Sequence, residues 1–554
     1  MHNPFRKKQS ILHTLLLSLI FATSLTAETI PFSFFHDKPR STAKDFYIYR
    51  FLDQNISAQE ARALLGEVNN MNWKLFDRFA DKVDDFAFER VKYCRHLAPE
   101  RFAGKDSDCI MVGLTPYKAT RLPVKILEEI ADNIAFRYPK QAALYKAIAT
   151  RDFRFMTKLD PRLFLQVFNQ TGKKYRESWF NHPLPPKLLV TLSGYSAFNT
   201  AIDKIVRDPK LDKLQHSLLK FDSSKLSAES NFLLGINALK QGHKEVAIWY
   251  FKLSAKKAWS NFAKDKAIFW QYLTTQDSKL LHELIEKSKD INLYTLFAHE
   301  KLGTFPKNII VTIDPKQPRA PFDITDPFIW HKLYKAFKRR DFPDQKSKEA
   351  AALQLNSNDT QPHVARLLYS YKENLHYYLF AYRRYIHTLE PHRQALILAL
   401  ARQESRFIPT AVSYSYALGL MQFMPFLAKA VAKESGMKDF RYEKMFDPKI
   451  AYRFADIHLD FLEKHLFHPL MVAYAYNAGA GYTRREIIQN DHLFTSKRYE
   501  PFLSMELLPN AQARRYGKKV LANYIVYARL MGLKDVTLLT LLQALTKKHR
   551  ISDF

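Results

Sequence analysis

The chain has 554 residues, 47% of them hydrophobic, and a formal net charge of +30. That balance excludes a disordered polymer, and the length can bury a large core divided among about three domains. With only 14 glycines in the whole length and Ala, Leu, Lys, Phe and Tyr abundant, helices packed on helices are favoured over turn-rich sheets, so a mainly α protein is expected.

The N-terminus reads as an export signal. Arg6, Lys7 and Lys8 precede an apolar stretch over residues 11–25, and "SLTAET" follows with small residues suited to cleavage near Ala27. A spanning anchor needs about 20 apolar residues; this run is shorter and is interrupted by His13, Thr14 and Ser18. Residues 1–27 are therefore expected to be a cleaved signal peptide, with the mature chain periplasmic and without a stable membrane anchor. In an exported chain the two cysteines, Cys94 and Cys109, are a disulfide candidate; the other reading is two separate buried thiols. The lysines and arginines are spread along the chain, which argues against nucleic acid as a partner. Diffuse positive charge suits a polyanionic extracellular polymer such as a cell wall, or reflects a generally basic proteome.

Residues 28–305 read as short amphipathic helices. In "NFLLGINALKQGHKEVAIWYFKL" Gly242 marks a turn between two helices, and Ala247, Phe251 and Ala255 share one face of the second. No strict repeat of about 34 residues is found, so a helical superhelix is expected from hairpin character alone. Trp249, Trp259 and Trp270 read as packing residues. Pro306, Pro315, Pro318, Pro321 and Pro327 crowd the start of a boundary region with linker helices, residues 306–385. An apolar core of its own is expected on each side of it.

In "ALARQESRF" one carboxylate, Glu404, lies on the helix face of Ile397, Leu400 and Ala401, and Pro409 ends the helix just beyond. Desolvation there would raise the carboxyl pKa and suit a general acid. The same spacing also admits a solvated residue at a helix end. "VSYSYALGLMQFMP" brings Ser413, Tyr414, Tyr416, Met421 and Gln422 together in a loop and helix start, offering hydroxyls, an amide and flat apolar faces to sugar rings. "AYAYNAGAGY" adds Tyr476 and Asn477 beside Gly479.

Glu404-Ser405, then Gly419-Leu420-Met421-Gln422 with Met424-Pro425, then Ala475-Tyr476-Asn477-Ala478-Gly479 resemble, in order and spacing, the signature of the soluble lytic murein transglycosylases. "ELLPNAQARRYGKKVL" is similar to a fourth family stretch through Glu506, Pro509, Arg514 and Tyr516. Four ordered motifs within about 120 residues weigh more than any one of them. The resemblance implies a lysozyme-like α-helical transglycosylase domain over residues 386–535, preceded by an α-superhelix over 28–305 and followed by a C-terminal helix or tail over 536–554. It also implies cleavage of the β-1,4 bond between N-acetylmuramic acid and N-acetylglucosamine, with closure of a 1,6-anhydro ring and Glu404 as acid and then base. Ser413, Met421, Gln422, Tyr476, Asn477 and Glu506 would line the groove, with Tyr516 beside them, and peptidoglycan strands would be the partner. Wall-synthesis or assembly proteins are candidate protein partners, and no cofactor is implied.

The sequence departs from the family at Tyr416, where a small residue is usual, at Ala480, where proline is, and at Gln512-Ala513, where Glu-Thr is. His458, His465 and His468 lie close in sequence without a cysteine and do not read as a metal site. Two other functions remain. A goose-lysozyme-like hydrolase would need a second carboxylate, with Asp439, Glu443 and Asp447 as candidates, and a wall-bound scaffold would hold glycan without cutting it.

Overall fold

The computed structural model describes residues 29–219, 221–339, 342–368 and 375–554. The expected signal peptide lies outside them. Among the described residues thirty α-helices carry nearly all the regular structure, and the one sheet has two strands. The protein is mainly α, as its composition implies.

The helical half starts with α1 (Thr42–Phe51), whose first turn is capped by Ser41 through the Lys44 amide at 3.2 Å. Asn72 caps α2 (Trp73–Ala80) by accepting from the Leu75 amide at 3.0 Å. Cys94 and Cys109 are bonded, with Cα atoms 5.2 Å apart. Further along, α3 (Ala197–Arg207) leads to the hairpin of α4 (Ala228–Lys240) and α5 (Lys244–Lys257). That hairpin turns at Gly242, whose φ of +84° is costly for any residue with a Cβ. Ala247 and Phe251 are buried on α5 and Ala255 packs partly buried beside them. Then come α6 (Asn261–Thr275) and α7 (Leu293–Lys301). Of the three tryptophans read as packing residues only Trp270, on α6, is fully buried. Trp249 is exposed, and Trp259, 94% exposed, lies in the connection between α5 and α6, outside either helix.

The proline-rich stretch is held by specific bonds. Its strand β1 (Ile309–Ile310) pairs in parallel with β2 (His376–Tyr377), Ile309 opposite His376. Asn356 donates from Nδ2 to the carbonyls of Ile313 and Asp314, both at 2.8 Å, and its own carbonyl accepts from the amides of Lys316 and Gln317.

The C-terminal half is built on α8 (Pro391–Glu404), α9 (Pro425–Glu434), α10 (Pro448–Glu463) and α11 (Pro469–Ala478), each begun by a proline whose missing N–H costs nothing in a first turn. After α12 (Phe502–Leu507) the long α13 (Ala511–Leu530) packs along both α8 and α11. Arg402 Nη1 donates to Asn523 Oδ1 at 2.7 Å, and Asn523 Nδ2 to the Ala399 carbonyl at 3.2 Å, which fixes α8 against α13.

In place of one core on each side of the proline-rich stretch, the main apolar cluster reaches from Phe46 to Ile551 through both halves, and a second, smaller one gathers Phe35, Ile48, Phe51, Leu75 and Phe79 around α1 and α2. The physical reason is Phe502 of α12, whose ring lies 4.6 Å from that of Phe269 on α6 and 5.7 Å from that of Phe297 on α7. A second join is made by α1: Phe46 and Tyr49 lie 5.9 Å and 5.0 Å from the ring of Tyr416, and Asn72 Nδ2 donates to the Tyr414 carbonyl at 3.0 Å. The helical half thus grips the C-terminal half at both of its ends. Tyr416, the departure from a small residue, fills the space beneath α1 and is 2% exposed.

Candidate active site

Glu404 is the last residue of α8, a helix whose residues 394–401 are all buried. The helix ends before Pro409 can act. Arg406 and Phe407 both take left-handed conformations, φ +54° and +65°, and turn the chain away. Ser405 then donates from Oγ to the Leu420 carbonyl at 2.8 Å, tying the end of α8 to the following loop.

That loop is shaped by short backbone exchanges. Leu418 and Phe423 trade amide and carbonyl bonds at 2.8 and 3.0 Å, and the Gly419 amide donates to Ala411 at 2.9 Å. Gly419 has φ +76°, and a Cβ there would lie 2.0 Å from the Met445 carbonyl oxygen, so no other residue fits. Gln422 spends its amide nitrogen on the carbonyls of Ala411 and Gly419, at 3.0 and 2.8 Å, which turns its side chain into a brace for the loop. Ser413 Oγ accepts from the Ala417 amide at 2.9 Å and is half-buried.

Two tyrosines converge beside this loop. Tyr516, from α13, donates its hydroxyl proton to Glu404 Oε1 at 2.6 Å. Tyr476, from α11, donates to the Met421 carbonyl at 2.9 Å, and the charge of Glu404 acts on both phenols. Burial pushes the Glu404 carboxyl up to about 7, with the Tyr516 hydrogen bond pulling weakly the other way. No other titratable group contributes to the shift. The result is a carboxyl about half protonated at neutral pH, able both to give a proton and to take one back.

Ser413, Gln422, Tyr476, Asn477 and Tyr516 are thereby brought around or next to the Glu404 loop, with Asn477 half-buried one residue beyond Tyr476. Two expected groove residues are corrected. Met421 has a fully buried side chain and offers only its carbonyl, to Tyr476. Glu506 is 2% exposed and bonds Lys518 Nζ at 2.6 Å and the hydroxyl of Tyr294, from α7, at 2.6 Å. Burial would raise its carboxyl, but Lys518 and Lys266 outweigh that and hold it below the usual range. It is an ionised member of a buried network and faces no groove. From the sequence, His458 is weighed only as a metal ligand; its ring lies 5.6 Å from Tyr476 and 5.8 Å from Phe423, and burial lowers its basicity to about 4. Phe461 of its own helix stacks on it at 6.1 Å, but Tyr476 and Phe423 come from other elements, so sequence spacing held no sign of its place beside Tyr476. Among the described residues no group of His, Cys, Asp and Glu could hold a metal ion. His468 accepts at Nδ1 from the Leu470 amide and so donates from Nε2 to the Leu541 carbonyl, while His465 pairs with Asp553.

Comparison with known families matches residues 386–498 to the Transglycosylase SLT domain. This segment belongs to that family. The SLT domain therefore carries Glu404, the Gly419 loop and the Tyr476 motif. The chain is 29% identical over 144 residues to a soluble lytic murein transglycosylase of Salmonella typhimurium, covering 26% of this chain and 22% of the relative. It is 32% identical over 146 residues to a membrane-bound lytic murein transglycosylase C of Histophilus somni, covering 23% of this chain and 39% of that one. The match thus spans well under half the length of these curated relatives. Among solved structures, the lytic transglycosylase Slt of Pseudomonas aeruginosa aligns over 93% of this chain and 90% of its own with 16% identity and a TM-score of 0.44. The 70 kDa soluble lytic transglycosylase of Escherichia coli aligns over 90% and 83% with 17% identity and a TM-score of 0.44. Among the described residues no helix is long and apolar enough to cross a membrane.

Proposed function

We propose that this chain is an exported, periplasmic lytic transglycosylase of peptidoglycan. It cleaves the β-1,4 bond between N-acetylmuramic acid and N-acetylglucosamine and closes a 1,6-anhydro ring on the muramic acid. Glu404 protonates the leaving glycosidic oxygen; as carboxylate it then takes the proton of the C6 hydroxyl as that oxygen closes on C1. The substrate's 2-acetamido group stabilises the positive charge that develops at C1. Tyr516 orients the Glu404 carboxyl throughout.

The observation that carries this reading is a lone carboxyl near neutrality with no carboxylate acting on it. Hydrolysis with a positioned water calls for a second carboxylate at about 5–10 Å. The three candidates for that part are engaged elsewhere: Asp439 pairs with Lys444, Glu443 with Arg50 of α1, and Asp447 caps α10 by accepting from the Lys449 amide at 2.8 Å. Digestion of purified sacculi by the full chain tests the proposal. The released muropeptides should be lighter by one water than hydrolysis products, and Glu404→Gln should release almost none. Products ending in reducing sugars would return the hydrolase reading, and glycan binding without cleavage by the wild type would return the scaffold.

A further inference from the structure

A cavity of about 550 Å³ lies between α3, α4 and α5 of the helical half and the 486–509 stretch of the C-terminal half. Glu404, Tyr476 and Tyr516 do not line it. Its wall carries seven lysines and arginines against two carboxylates, Glu486 and Glu500. Three of the cations are already neutralised. Arg207 pairs with Asp203 at 2.8 Å and Glu229 at 3.2 Å, Lys173 with Asp208 at 3.8 Å, and Lys210 with Glu177 at 3.7 Å.

The other four, Lys240, Lys244, Lys497 and Arg498, make no ion pair among the described residues. Lys240 donates to Gln215 Oε1 at 2.9 Å and to the Val206 carbonyl at 3.4 Å, and burial lowers its pKa to about 8, so it is the weakest of the four cations; Arg498 lies 5.0 Å from the ring of Tyr499. Glu500 offsets them little. Burial pushes its carboxyl up to about 7, and it accepts from Ser504 Oγ at 2.9 Å. At the cavity's edge Arg207 keeps a buried Nη1 with no hydrogen-bond partner. The rest of the wall is mixed: Leu239, Leu493, Leu503 and Leu507 lie between the charges, and Asn490, His492 and Tyr499 add polar groups.

Four cations without an ion pair facing one cleft make a positive field there that favours a ligand of opposite sign. The volume suits a small ligand, far below what a duplex or a bilayer surface needs. A bare inorganic anion would leave the leucines wet. The geometry points to a binding site for a short acidic peptide, with carboxylates at Lys240, Lys244, Lys497 and Arg498 and methyl-bearing side chains on the leucines. Resting on the function proposed above, the source is the carboxylate-bearing peptide attached to the glycan, held at a distance from the bond being cut.

The test uses the full chain and a synthetic pentapeptide of two glutamates and three alanines, carrying no sugar, followed by isothermal titration calorimetry. Lys244→Glu combined with Lys497→Glu reverses charge on both sides of the cavity. Position 244 opens α5, where a negative charge is favoured, and Lys497 is exposed, so folding should survive. Binding should weaken about ten-fold or more in the double variant, and should weaken again as salt is raised. Glu404→Gln should bind the peptide as the wild type does, which separates this site from cleavage. Unchanged affinity in the double variant, displacement of the peptide by an equal concentration of inorganic phosphate, or loss of binding in Glu404→Gln would each overturn the proposal.

Discussion

Burying one carboxyl at the end of α8 has a kinetic and a thermodynamic consequence, and Glu404→Gln separates them. Glutamine keeps the shape but neither gives nor takes the proton, so cleavage should fall by about 10²–10⁴-fold or more while glycan binding survives. The folded carboxyl titrates near 7, the unfolded one near about 4.3. Between those values the folded protein holds a proton that the unfolded chain has released, so native stability falls as pH rises through this window and stays lower above it. Glutamine removes that loss. Denaturant titrations should show the variant more stable by on the order of 1–3 kcal/mol at pH 8 and no more stable at pH 4; a variant equal to wild type at pH 8 would mean that Glu404 is solvated. Tyr516→Phe tests the partner. Its hydrogen bond favours the charged carboxylate, so its loss should move the alkaline limb of the kcat/KM profile to higher pH and lower the rate by about ten-fold. A limb that stays in place would make Tyr516 a packing residue only.

At the level of elements, the loop between α8 and α9 depends on one glycine more than on any side chain it displays. Gly419→Ala meets both a left-handed backbone and the Met445 carbonyl, so either the loop or the 442–446 turn must shift. The expected outcome is at least about 2–4 kcal/mol of destabilisation and a collapse of activity, measured by thermal melting beside sacculus digestion. A variant that melts and cuts like wild type would show that the loop relaxes freely. Elements whose determinants are close neighbours were legible in the sequence: the apolar positions before Glu404, and Gly242 at the turn between α4 and α5. The stripe reading understated α8, which is buried on every side, because a helix packed between neighbours shows no polar face to reveal it. Partners far apart in sequence were not legible. Glu506 looked like a groove residue from its motif, yet Lys518 comes from α13 and Tyr294 lies 212 residues earlier, on α7. Likewise nothing local separates Trp259 from Trp270; only the packing of α6 decides which is buried.

At the scale of the whole molecule, the site belongs to an SLT domain whose surroundings are completed by the helical half. Phe502 sits against Phe269 and Phe297, Glu506 takes a bond from Tyr294, and Tyr416 lies under Phe46 and Tyr49. Removing residues 1–385 strips all of these at once. Exposing a buried aromatic forfeits about 1.5–3 kcal/mol, and a charged pair left with unmet bonds costs further. Those losses approach the whole stability of a typical domain, about 5–15 kcal/mol. The fragment 386–554 is therefore expected to bind a hydrophobic dye and to lack a cooperative melt, whereas in the full chain both halves should melt together because the main apolar cluster spans them. Circular dichroism in the near ultraviolet, followed through a thermal scan, reads both. A fragment with native aromatic signals and a sharp transition would show that the SLT domain carries a sufficient core and that the contacts with α1, α6 and α7 position it without being needed for folding.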